Sequence, residues 1–312
     1  MINLSDWGQS VADAVGKMIE DRRCHPLATY RLQFAKDRLT FRDAAAIVPY
    51  LDELGISHIY ASPYLKTQSG SAHGYAIVDY GRMNPELGGE DEYRALVEAL
   101  YSRKMGQIID IVPNHMSAAP LENRWWTNVL ENGPGSPFAS YFDIDWRPIK
   151  EQLHDKILLP VLGDQYGQVL ESGELKLEYS GGAFFIRYYQ MLLPLDPRTY
   201  RAILTRRIDE LKTALPADSE DLRELESIVT ALEHLPERTE TDTDRVTERQ
   251  REKEVIKDRL RRLVEHSLEI ADFIRQNVQY FNGAPEDPHT FDELDKLLDA
   301  QVYRLSHWKA AA

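Results

Sequence analysis

Gln107-Ile108-Ile109-Asp110-Ile111-Val112 runs straight into Pro113-Asn114-His115. The apolar residues are few and β-branched, which is the pattern of a parallel strand buried on both faces. Pro113 then stops the run, because proline has no N–H to give to a ladder. Asp110 interrupts the strand near its carboxyl end, where a buried carboxylate is costly unless it has partners. In a β/α barrel, active sites are built at the carboxyl ends of the strands. Asp110, Asn114 and His115 are therefore expected on one rim. The same residues also fit an Asp that caps the following turn and a His that is merely exposed.

A second stretch strengthens the first reading. Gly70-Ser71-Ala72-His73-Gly74-Tyr75-Ala76-Ile77-Val78-Asp79-Tyr80 follows another buried-type strand, Ile56-Ser57-His58-Ile59-Tyr60-Ala61. Tyrosine is large, rigid and amphipathic, and sugar rings present apolar C–H faces that stack on it. Tyr75 and His73, held over strand ends, are expected as the floor and wall of a sugar site.

Between and before these stretches, strands and helices alternate. A strand at residues 28–32 leads to a helix opened by Thr40, with Asp43 as its capping-box partner. Ala44, Ile47, Val48, Leu51 and Leu54 give that helix one apolar stripe, and Gly55 ends it. A second helix, residues 90–104, opens on Glu90, Asp91 and Glu92 and buries Leu96, Val97 and Leu100. Strand–helix–strand–helix–strand with tight connections predicts a parallel sheet with right-handed crossovers. Three strands do not close a barrel of this class.

From Ala118 to Gln190 the periodicity breaks up around Trp125, Trp126, Gly133-Pro134, Trp146 and Gly181-Gly182, with Phe184–Tyr189 reading as one strand. Trp125 and Trp126 fit either sugar contact or the core of a loop-rich subdomain. Beyond Pro197 the chain reads as helix. Leu222, Leu225, Ile228, Val229, Leu232 and Leu235 repeat at helical spacing, followed by Pro236 and a polar turn. A second long helix carries Val255, Ile256, Leu260, Leu263, Val264, Phe273, Ile274 and Val278, so an antiparallel hairpin with a solvated Glu/Arg/Lys outer face is expected.

The formal net charge of -14 excludes a sequence-independent nucleic-acid binder, which needs a basic footprint. It suits a protein acting on a neutral substrate. Cys24 is the only cysteine among 312 residues, so no intrachain disulfide and no multi-Cys zinc site can form. Met1 to Ser10 has no apolar core of a secretory signal, and no run reaches the ~18 apolar residues of a membrane helix. The cytoplasm is the expected location, with no membrane partner.

His73-Gly74-Tyr75 with Asp79, and Asp110-x-x-x-Asn114-His115, resemble the α-amylase superfamily of glycoside hydrolases and transglycosylases (glycoside hydrolase family 13). Further signals are Thr29-Tyr30-Arg31-Leu32-Gln33, Ala61-Ser62-Pro63-Tyr64, Asn84-Pro85-Glu86-Leu87-Gly88-Gly89, Asp110 through Met116 and Trp125-Trp126. Val129-Leu130-Glu131-Asn132-Gly133-Pro134, Tyr141-Phe142-Asp143-Ile144-Asp145-Trp146 and Leu159-Pro160-Val161-Leu162-Gly163 complete the series. Together they resemble the maltooligosyltrehalose synthase family in particular. Ala76 departs from the family, which usually has Asp after His-Gly-Tyr, and this bears on a local hydrogen bond near the sugar site.

The resemblance implies an α/β fold: the first three βα units of a (β/α)8 TIM barrel, with a mixed insertion after strand 3 and a long helical hairpin. The implied division is 1–117 as the first part of the barrel and 118–199 as a loop-rich insertion. Residues 200–290 then form the helical hairpin, and 291–312 a helix returning to the barrel before strand 4. It implies a maltooligosaccharide (α-1,4-glucan) substrate whose reducing-end bond becomes α,α-1,1 by intramolecular transglucosylation. The implied pathway partner is maltooligosyltrehalose trehalohydrolase.

By the resemblance, Tyr75 stacks under the sugar being cleaved, His115 donates to that sugar's hydroxyl, and Asp110 orients its neighbours. His73, Asp79, Asn114, Trp125 and Trp126 are implied substrate contacts. Asn114 is a calcium ligand in many amylases, but no calcium requirement and no cofactor follows. The nucleophile Asp follows strand 4 in the family and the acid/base Glu strand 5, and no Gly-x-Arg-x-Asp segment appears here. The chain is accordingly expected to be an N-terminal portion, inactive alone. An α-glucan hydrolase and a non-catalytic glucan-binding fragment remain open.

Overall fold

The computed structural model describes residues 4–21, 26–119, 121–216 and 218–311, so Cys24 and Met1–Asn3 lie outside the described residues. Two units emerge, Met1–Ser117 and Ala118–Ala312.

After helix α1 (Leu4–Asp21), the first unit runs β1 (Thr29–Leu32), α2 (Phe41–Glu53), β2 (His58–Ala61), β3 (Leu65–Thr67), β4 (Ile77–Met83), α3 (Glu90–Ser102) and β5 (Gly106–Ile109). Strands β1, β2 and β5 form a parallel sheet in that order, with Arg31 opposite Tyr60 and Tyr60 opposite Ile108. Strands β3 and β4 form a separate antiparallel pair. Helix α2 starts as its sequence demands: the Thr40 side chain accepts from Asp43 N–H, and the Asp43 carboxylate accepts from Thr40 N–H. Phe41, Ala44, Val48 and Leu51 of α2 and Leu96 and Leu100 of α3 bury one face of the sheet with Leu32, Ile59 and Ala61.

Three expectations need correction here. The strands are shorter than read, since Ser57 Oγ, rather than a ladder partner, satisfies Leu27 and Ala28 N–H, and β5 ends at Ile109. The apolar stripe of α2 ends at Leu51, because Leu54 lies past the last turn and is exposed. The sheet is buried on one face only: Tyr60 and Ile108 are each 37% exposed on the other. Both crossover helices pack on the same side, as right-handed connections require.

The second unit contains α4 (Arg124–Asn132), β6 (Ile157–Leu162), α5 (Tyr166–Glu171), β7 (Leu175–Ser180), β8 (Ala183–Tyr188), β9 (Met191–Pro194), α6 (Tyr200–Leu204) and α7 (Ile208–Ala214). It continues through α8 (Glu220–His234), α9 (Thr243–His266), α10 (Leu268–Phe281), α11 (Asp292–Asp299) and β10 (Tyr303–His307). Strands β7, β8 and β9 make an antiparallel meander, while β6 and β10 pair in parallel. One apolar core joins Val129 and Leu130 of α4, the meander, α8 to α11 and Leu305.

The second long helix of the expected hairpin is two helices. Ser267 adopts an extended conformation (φ -113, ψ 113), and its side chain caps α10 by accepting from Ile270 N–H. The segment read as a returning helix is helical only to Asp299. Tyr303–His307 instead extends along β6, with Tyr303 and Leu305 buried and Arg304 exposed. That alternation is the period of a strand.

The outer face of α9 is not wholly solvated. Arg249 is fully buried and donates to Asp196 at 2.7 Å, to Asn132 Oδ1 at 3.1 Å and to the Pro236 carbonyl. Lys253 donates to Glu131 at 2.7 Å, and Lys257 donates to the other Glu131 oxygen. Burial alone pushes the Glu131 pKa up, but the two ammonium groups outweigh it and hold the carboxyl below its ordinary 4.5. A folded-state pKa below the unfolded one gives stability that is complete above the unfolded value and lost as pH falls through the folded one. Acidification below the ordinary 4.5 should therefore weaken the unit, and Glu131→Gln should flatten that slope in denaturation curves taken at a series of pH values. An acid slope identical in both proteins would exclude Glu131 as its source.

Candidate functional site

Residues two apart on a strand share a face. Arg31 and Tyr60, opposite each other in the ladder, therefore stand on the open face of the parallel sheet with Ile108. Asp110, two residues beyond Ile108 and just past β5, joins them at the carboxyl ends of the strands. Its backbone N–H donates to the Ala61 carbonyl at 2.9 Å, which extends the ladder geometry by one residue.

Tyr75 arrives from the loop between β3 and β4. Gly74, at φ +80, turns the chain there, in the left-handed region that a side chain would strain. The Tyr75 hydroxyl donates to Asp110 Oδ2 at 2.6 Å and accepts from an Arg31 Nη at 2.6 Å. Tyr60 approaches the same carboxylate oxygen with its hydroxyl at 3.5 Å, and the second Arg31 Nη lies 4.0 Å from it. Because the carboxylate holds its proton, the Tyr75 pKa is raised above the ordinary tyrosine value, with Arg31 acting in the opposite sense.

His73 secures the base of the ring. Its Nδ1 accepts from Tyr75 N–H at 3.0 Å, which requires that nitrogen to be unprotonated, and its ring stacks on Tyr75 with centroids 6.0 Å apart and planes 26° apart. Gln33 Nε2 in turn donates to the His73 carbonyl at 2.8 Å. The result is a half-buried aromatic ring fixed at both ends beside a carboxylate and a guanidinium, able to stack on a neutral ring and hydrogen-bond its hydroxyls.

His115 and Asn114 are exposed on the loop that follows Asp110. That loop is pinned by Tyr80 of β4, whose hydroxyl donates to the Val112 carbonyl at 2.5 Å and lies 3.0 Å from the His115 carbonyl. Asp79 turns elsewhere, accepting from Gly81 N–H at 2.8 Å and from Arg82 at 3.0 Å. Burial works against its ionisation, but these contacts and Lys66 hold its pKa below the ordinary carboxylate value. Both partners, Gly81 and Arg82, lie on β4 itself. Trp125 and Trp126 belong to the second unit. Trp125 stacks on Phe138 and meets Tyr141 edge-on, and Trp126 packs against Phe142 and the apolar core; both are half-buried.

Arg31, Gln33, Tyr60 and Tyr80 were not among the expected site residues. Arg31 and Gln33 alternate along the Thr29–Gln33 stretch and Tyr60 lies in the next strand, so aligning the strands by register finds the first three. Tyr80 carries no such signal. Among the described residues, no group of three or more His, Cys, Asp or Glu side chains is arranged to hold a metal ion, and no helix is long and apolar enough to cross a membrane.

Residues 45–187 match the alpha-amylase catalytic-domain family. The chain is 41% identical over 171 residues to a putative maltooligosyl trehalose synthase of Mycobacterium tuberculosis, an alignment spanning 50% of this chain and 22% of that protein. It is 32% identical over 107 residues to the intracellular maltogenic amylase of Bacillus subtilis, over 34% of this chain and 17% of that one. Among solved structures, DSM5389 glycosyltrehalose synthase superposes with a TM-score of 0.54 at 28% identity, over 91% of this chain and 27% of that chain. A crystal structure of maltooligosyl trehalose synthase gives 0.50 at 41% identity, over 55% and 22%. The chain thus carries an alpha-amylase-family segment similar to maltooligosyltrehalose synthases, and spans about a fifth to a quarter of the length of these synthases.

Proposed function

We propose that this chain supplies the sugar-binding wall of a maltooligosyltrehalose synthase, with residues 1–117 as the opening βα units of a (β/α)8 barrel. Residues 118–199 are then an insertion after the third strand, 200–290 a helical insertion, and 291–312 the return to the barrel. The observation that carries the reading is the Tyr75 ring held between Asp110 and Arg31 at the carboxyl ends of three parallel strands. The 41% identity to a synthase over half of the chain supports it.

In this reading a maltooligosaccharide stacks its reducing-end bond over Tyr75. His115 hydrogen-bonds a hydroxyl of the sugar that gains positive charge, and Asp110 holds Tyr75 and Arg31 in place. The reaction cleaves the α-1,4 bond with retention, through a covalent glucosyl-enzyme, and the freed glucose returns as the acceptor to give an α,α-1,1 bond. Water must be kept out while the glucose turns. The product is the natural substrate of a maltooligosyltrehalose trehalohydrolase, and the proposed location is the cytoplasm.

Purified 1–312 should bind maltopentaose but form neither an α,α-1,1-linked product nor shorter glucans, because it has no Gly-x-Arg-x-Asp segment to bring a nucleophile. Chromatography of long incubations checks this. Trehalose-type product would show that the nucleophile lies within the chain. Shorter glucans would favour a hydrolase, and absence of binding would remove the sugar-wall reading.

A further inference from the structure

Arg31 connects more of the rim than any residue that the sequence singles out. One Nη donates to the Tyr75 hydroxyl at 2.6 Å and to Gln33 Oε1 at 3.3 Å. The other Nη is 4.0 Å from Asp110 Oδ2, and the guanidinium carbon lies 4.7 Å from the centre of the Tyr60 ring. Gln33 continues the chain of contacts to the His73 carbonyl, and His73 receives the Tyr75 N–H. The tip of Tyr75 is thus tied to β1 and its base to Gln33, just after β1.

We infer that Arg31 is a positioning residue for the sugar platform: by donating to the Tyr75 oxygen it directs that hydroxyl's own proton onto Asp110, and so fixes the tilt of the ring on which a glucose unit stacks. The inference rests on the sugar-wall reading above. Tyr75 sits on a loop whose turns at Gly70 (φ +74) and Gly74 (φ +80) give the ring no rigid element of its own. A phenol has a single proton, and a donor on its oxygen leaves that proton one strong acceptor nearby, the carboxylate at 2.6 Å. Tyr60 beneath the guanidinium sets the plane of the fork. Lysine has one nitrogen and no planar face, so it cannot hold Tyr75 with one nitrogen, turn a second toward Asp110 and lie flat on Tyr60.

The test uses full chain 1–312 and titrates maltopentaose calorimetrically into the unmodified protein and into Arg31→Ala, Arg31→Lys, Tyr75→Phe, Tyr75→Ala and the Arg31→Ala/Tyr75→Phe double variant. Arg31→Ala and Tyr75→Phe should each weaken binding about tenfold, the size of one charge-assisted hydrogen bond, and the double variant should be no weaker than either. Arg31→Lys should stay close to Arg31→Ala. Losses that multiply in the double variant would place Arg31 on the sugar itself and overturn the inference. Unchanged binding in Arg31→Ala, with binding lost in Tyr75→Ala, would overturn the inference and leave the sugar-wall reading intact. No binding by the unmodified chain, or normal binding by Tyr75→Ala, would overturn both.

A second readout needs no sugar. With tyrosines labelled at the ring carbon bearing the hydroxyl, Arg31→Ala should shift the Tyr75 resonance and move its titration to higher pH, since Arg31 opposes the upward pull of Asp110. A Tyr75 resonance that does not move would overturn the inference. Should Arg31→Ala fail to fold, Arg31→Lys carries the same measurement.

Discussion

Arg249→Ala is expected to lower the free energy of unfolding by about 3–5 kcal/mol, the range for breaking a buried ion pair from one side. Arg249 is fully buried, and three acceptors depend on it: Asp196, Asn132 Oδ1 and the Pro236 carbonyl. Asp196, itself 5% exposed, would keep only Arg198 N–H at 3.1 Å and the more distant Arg238 at 3.5 Å. The desolvation cost of that carboxylate would then be met by two partners instead of three. Arg262→Ala on the same helix is the control. Its side chain is 71% exposed and its partner is Asp258, so its loss should stay within about 1 kcal/mol. Arg249→Met separates charge from volume, because methionine fills much of the space but donates nothing. Denaturant unfolding of the three variants checks the argument. An Arg249→Ala cost near that of Arg262→Ala, or a full recovery in Arg249→Met, would mean that the buried polar network contributes little.

That network also marks where the sequence stops being legible. The βα alternation, the Thr40–Asp43 capping box and most of the apolar stripes of α2 and α3 are local patterns, and these stand in the structure, with Leu54 exposed and Val97 half-buried as the exceptions. The Tyr75–Asp110 contact joins residues 35 apart and was approached only by treating both as rim residues of one sheet. The buried Arg249 and Lys253 were unreadable, because their partners Asp196 and Glu131 are more than fifty residues away, and a cationic helix face without them looks solvated. The break in the long helix was missed because apolar spacing continues through Ser267, while the capping that ends it rests on one side chain. The resemblance placed Tyr303–His307 in a returning helix, and pairing with β6 selects the strand instead.

In an active polypeptide that carries this chain, His115→Ala should lower kcat far more than it raises KM. The proposed imidazole contact is to a hydroxyl of the sugar that gains positive charge, a hydrogen bond that strengthens on the way to the transition state, and only such contacts lower the barrier. Its loss should cost on the order of 2–4 kcal/mol, or roughly thirtyfold to a thousandfold in rate. The local structure permits the test: the loop is held by Tyr80 through the backbone carbonyls of Val112 and His115, so removing the exposed imidazole leaves those bonds in place. Tyr75→Ala should behave differently and raise KM as well, because stacking acts on substrate and transition state alike. It also removes the hydroxyl that donates to Asp110 and accepts from Arg31. Steady-state kinetics on maltopentaose, with melting temperatures measured beside them, distinguish the two roles. A His115→Ala protein with normal kcat and an unchanged melting temperature would make His115 an ordinary loop residue and take it out of the site.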